Sequence, residues 1–107
     1  MNIPKKAIVH ALDFYGIKRN VRGYAYLSEA IRYIMNLPEN EWYNVKMTNE
    51  VYPYVGSLYG YSGWAHIARN ITYAIRSSAK YGTELLPPGM TARGLILTII
   101  TDLATIA

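Results

Sequence analysis

VYPYVGSLYGYSGWAHIARNITYAIRSSAKY, residues 51–81, holds two helical patterns divided by a glycine turn. The first spans about Val51 to Tyr59, with Pro53 either in the opening turn or at a kink, because proline lacks the amide that a helix interior needs. Gly60 takes a left-handed conformation cheaply, and Ser62 is placed to cap the amides of a second helix over about 63–81, which Gly82 stops. Turning that helix by 100° per residue puts Ile67, Ile71, Ala74, Ile75 and Ser78 on one face. Arg69, Thr72, Tyr73, Arg76 and Lys80 share the other. Gly56 permits close approach within the pair. The pattern is a helix, a tight turn and a helix whose outer face is cationic.

Outward from this pair, apolar residues recur at three and four, and alternation at two is scarce. A first helix follows Pro4, lines up Ala7, Ile8, Ala11, Leu12 and Tyr15, and stops at Gly16. A second runs from Gly23 or Tyr24 to Asn36, burying Leu27, Ile31 and Ile34 ahead of Pro38. Residues 37–48 read as a connector. Pro87 and Pro88 stiffen another, and a last helix opens near Thr91. The expected fold is all-α, five to six helices containing a helix-turn-helix, with residues 1–107 as a single domain.

Half of the 107 residues are hydrophobic (51%), enough for one core. With no cysteine, neither a disulfide nor a thiolate metal site is available, which fits a cytoplasmic setting. Met1 to His10 lacks the apolar core of a secretory signal. The apolar run Leu95 to Ala107 is shorter than the roughly 20 residues that span a bilayer and contains Asp102, so no membrane partner is expected. Net charge is +4 and unevenly spread. No acidic residue lies between Glu50 and Glu84, whereas Arg69, Arg76 and Lys80 do. An anionic partner is drawn there.

A helix face of this kind is more often simply solvated than functional. The run Gly16 to Ile31, GIKRNVRGYAYLSEAI, resembles the opening of the DNA-binding effector domain of the master sporulation response regulator of endospore-forming bacteria. Val51-Tyr52-Pro53, Tyr59, Arg69, Ile71, Ala74 and Ile75 resemble the same family's helix-turn-helix, and Thr91 to Ala107 its last helix. The resemblance covers nearly the whole chain. It implies a six-helical domain that binds double-stranded promoter DNA through the recognition helix, pairs head to tail on tandem boxes, and contacts RNA polymerase.

Departures fall in the reading region. The turn at Gly60 to Trp64 is one residue longer than the family's, which moves the family's charged reading positions onto His66, Ala68 and Thr72, while Arg69 keeps its arginine. The connector before the last helix is shorter. No receiver precedes the first helix, so switching by phosphorylation of a receiver on the same chain is not expected. Arg69 and Thr72 are expected to meet bases in the major groove. Arg76, Lys80, Tyr73 and His66 are expected to meet phosphates, with Lys18, Arg19 and Arg22 on neighbouring backbone.

The last helix spreads Leu95, Ile96, Ile99, Ile100, Leu103 and Ile106 over a broad arc, which either closes the core or forms a homodimer contact. The competing function is therefore a protein-interaction or dimerisation module that keeps the fold and has lost base reading. His10 and His66 have no metal-ligand spacing, Glu39, Glu41 and Glu50 have no cleft pattern, and no serine lies in a nucleophile elbow. No enzyme, cofactor or metal is expected. Tyr24, Tyr26 and Trp42 read as packing residues.

Overall fold

The computed structural model describes residues 4–106, and of Ile106 the backbone alone. Helix α1 (Lys5–Phe14) buries Ile8 and Leu12. It ends because Gly16 adopts φ +71°, which returns the Ile17 amide to the Leu12 carbonyl at 3.0 Å and the Gly16 amide to Asp13 at 2.9 Å. Helix α2 (Arg22–Met35) buries Tyr26, Leu27, Ala30, Ile31 and Ile34 and packs against every other α-helix.

The connector from 37 to 48 is more ordered than its composition suggests. Glu39–Asn44 form a 3₁₀ turn and Met47–Val51 a π turn that runs directly into α3 (Tyr52–Leu58). Trp42 anchors the first of these: its ring is buried and Nε1 donates to the Leu37 carbonyl at 3.0 Å. Pro53 falls in the first turn of α3, where its fixed φ suits the opening of a helix.

Gly60 ends α3 at φ +80°, with the Tyr61 amide donating to the Gly56 carbonyl at 2.9 Å. The expected second helix over 63–81 is corrected at both ends, to α4, Ala65–Arg76. At its start Gly63 also has φ +80°, outside helical space, so Trp64 becomes the N-cap and Ser62 makes no capping bond. At its end, serines compete with the helix. Ser77 Oγ donates to the Ala74 carbonyl at 3.3 Å, and Ser78 Oγ donates to the Tyr15 carbonyl at 2.7 Å while accepting from the Lys80 amide at 3.0 Å. Ser78 is buried as the helical wheel anticipates, but by this turn; Lys80 lies beyond the helix.

Helix α5 (Ala92–Ile106) closes the domain. Leu95, Ile96, Ile99, Ile100 and Leu103 are all buried, so these five residues of the arc close the core. The Ile106 side chain lies outside the described residues. Arg93, in the first turn of α5, donates to the carbonyls of Tyr43 and Val45 and ties α5 to the connector. The buried residues of all five helices form one cluster. Among the described residues there is no strand, only an isolated bridge between Tyr81 and Leu86.

Candidate nucleic-acid interface

The buried face of α4 is the one its period predicts: Ile67, Ile71, Ala74 and Ile75 have at most 2% exposure. Burial of these four fixes the rotation of the helix and turns Arg69, Thr72, Tyr73 and Arg76 outward, all exposed. Tyr73 is 61% exposed, which leaves its ring and hydroxyl open to a partner. Neither Arg69 nor Arg76 has a carboxylate within ion-pairing distance among the described residues. A shallow groove lined by Ala68, Arg69, Thr72, Tyr73 and Arg76 follows this face.

What holds α4 there is a glycine that sequence reasoning did not single out as structural. Gly23 lies buried where α2 crosses α4: a β-carbon on it would stand 2.6 Å from Ala74 Cβ and closer still to the Asn70 carbonyl oxygen. Only the bare backbone of glycine permits that crossing distance. The signal lay inside the Arg-Gly-Tyr run, whose glycine is one residue into a helix, where glycine weakens the helix unless packing requires it.

Lys18 and Arg19 lie in the loop that Gly16 opens, Arg22 starts α2, and Gly16 itself packs against the segment after α4. A β-carbon on Gly16 would stand 3.0 Å from Lys80 Cγ and 2.7 Å from Ser78 Oγ, so the loop and Lys80 are neighbours despite their distance in sequence. Lys18, Arg22 and Lys80 are exposed. Arg19 is already engaged. Its guanidinium donates to Asp13 at 2.5 and 3.2 Å, and this hydrogen bond holds the Asp13 carboxyl below its usual range, against a smaller opposing effect of desolvation.

His66, expected at a phosphate, already has partners within the fold. Its Nε2 lies 3.0 Å from the hydroxyl of buried Tyr26, its ring stacks on Tyr61 with centroids 3.9 Å apart, and Asn70 Nδ2 donates to its carbonyl at 2.8 Å. Burial raises the Tyr26 phenol above its ordinary acidity range, with the neighbouring phenol of Tyr61 adding to it. Tyr26, Tyr59, Tyr61 and His66 thus brace the turn before α4. Leu58, Tyr59, Tyr61 and Trp64 leave apolar surface exposed there. Tyr24 and Trp42 pack as expected, Tyr24 also reaching Asp13 at 3.3 Å.

The described residues form an all-α domain with a braced turn and an outward basic helix. Residues 8–86, most of the chain, match the family described as Sporulation initiation factor Spo0A C terminal. The chain belongs to that family, whose members are DNA-binding effector domains in the transcription regulation of sporulation. No curated protein matches the chain. No helix among the described residues is long and apolar enough to cross a membrane.

Proposed function

We propose that the domain binds double-stranded DNA by laying α4 in the major groove as the second helix of a helix-turn-helix. The observation that carries this reading is the outward face of α4, where Arg69 and Arg76 stand exposed beside Thr72 and Tyr73, without carboxylate partners among the described residues. A free guanidinium bonds guanine bidentately or binds a phosphate, and the groove is wide enough for a helix. Arg69 and Thr72 meet base edges. Arg76, Tyr73 and Lys80 meet phosphates, and exposed Lys18 and Arg22 extend the contact along the backbone.

His66 and Arg19 leave this set, because their polar groups already serve Tyr26 and Asp13. The competing reading, a pairing module acting through the terminal helix, is less favoured because Leu95, Ile96, Ile99, Ile100 and Leu103 are buried in the core. Binding of duplex DNA to the wild-type chain and to an R69A/R76A double variant, measured by fluorescence anisotropy across a salt series, tests the proposal. Affinity is expected to fall linearly with salt on logarithmic axes, with a slope of about 0.9 per phosphate neutralised. Equal binding by the double variant, or no binding at low salt, sinks it.

A further inference from the structure

We infer that the outer face of α4 recognises thymine by its C5 methyl group, so that the preferred duplex carries thymines beside a guanine. This rests on the DNA-binding reading and specifies what that surface reads.

Ala65, Ala68 and Thr72 are spaced by three and four residues, which aligns them as one stripe on the helix. Ala65 and Ala68 are half-buried and Thr72 is exposed. Arg69 stands beside the stripe and Arg76 continues it by one turn, and the groove along it has a mostly apolar wall. The methyl groups of Ala68 and Thr72 therefore stand in the wall of the groove that faces the partner, with Ala65 at the start of the helix. The thymine C5 methyl is the one apolar group on the major-groove edge, and alanine and threonine methyls are suited to meet it. Short side chains also let the helix backbone come close to the base edges.

The other bases find fewer partners. Helix α4 contains no carboxylate to accept from the cytosine amino group. Asn70, the one side chain in α4 that can pair bidentately with adenine, is half-buried, and its amide nitrogen is committed to the His66 carbonyl. His66 is turned onto Tyr26 and Tyr61. What remains is Arg69 for guanine and the methyl stripe for thymine.

A duplex selected from a random pool by the full chain is remade with deoxyuridine for thymine at each position in turn, which removes only the methyl. Binding is expected to weaken by about fourfold for each methyl that meets the stripe. Thr72→Val keeps that difference, and Thr72→Ser, which deletes one methyl and retains the hydroxyl, abolishes it at one position. Salt-dependent binding that ignores deoxyuridine overturns this inference and leaves the DNA reading standing. A thymine preference unchanged in both Thr72→Ser and Ala68→Gly belongs to the stiffness of the DNA and overturns it too. Failure to bind any duplex overturns both.

Discussion

Five cations lie on or beside the proposed interface with no carboxylate attached, and a sixth, Arg19, is held by Asp13. That difference separates their expected effects. Arg76→Ala is expected to weaken binding about equally for all sequences and to lower the salt slope by about one, as loss of a phosphate contact does. Arg69→Ala is expected to cost about 1–3 kcal/mol at one base position and to relax preference there. Quantitative competition among single-base variants of a selected duplex separates the two patterns. Arg19→Ala, by contrast, leaves the salt slope where it was. His66 carries a structural expectation: Tyr26→Phe removes its 3.0 Å partner and is expected to lower stability by about 1 kcal/mol in urea denaturation.

Among the elements, the pair α3–α4 depends on three glycines with different duties. Gly60 has φ +80° and open space around its missing β-carbon, so Gly60→Ala meets only backbone strain, about 1–2 kcal/mol, and keeps the fold. A β-carbon on Gly56 would lie 2.9 Å from the Tyr61 carbonyl oxygen, inside the turn itself. Gly23→Ala forces α2 away from α4 and is expected to be the most disruptive of the three, because two helix backbones must separate. Thermal denaturation of the three variants ranks them, and a Gly23→Ala protein as stable as Gly60→Ala contradicts this account. The helical period predicted which face of α4 is buried. It missed where α4 begins and ends, because Gly63 and Ser78 are controlled by neighbours: one by the geometry of the turn, the other by the Tyr15 carbonyl across the core.

At the scale of the molecule, tyrosine burial sets a pH limit. Tyr15, Tyr24, Tyr26, Tyr52 and Tyr59 all have phenols shifted upward, in each case chiefly by desolvation. A group whose folded pKa is raised holds its proton more tightly when folded, so its stabilisation is complete below the unfolded value near 10 and is lost as pH rises beyond it. Unfolding free energy is expected to fall as pH rises through about 10 and above, and Tyr52→Phe flattens that fall. Because the apolar arc of α5 is consumed inside the one core cluster, the free protein is expected to sediment as a monomer.

The sequence alone determined the helical class, the face that α4 buries and the charge it turns outward, since these follow from local period and composition. It also placed the turn at Gly60, where only glycine adopts the required conformation without strain. Tertiary structure decided what local pattern cannot carry. His66 became a brace through a residue 40 positions away, and Lys80 came beside the basic loop through Gly16. The apolar excess of α5 became core, because the faces it covers belong to helices distant in the chain. Each of these depends on which surfaces meet, and that is settled by packing the whole chain rather than by any one segment.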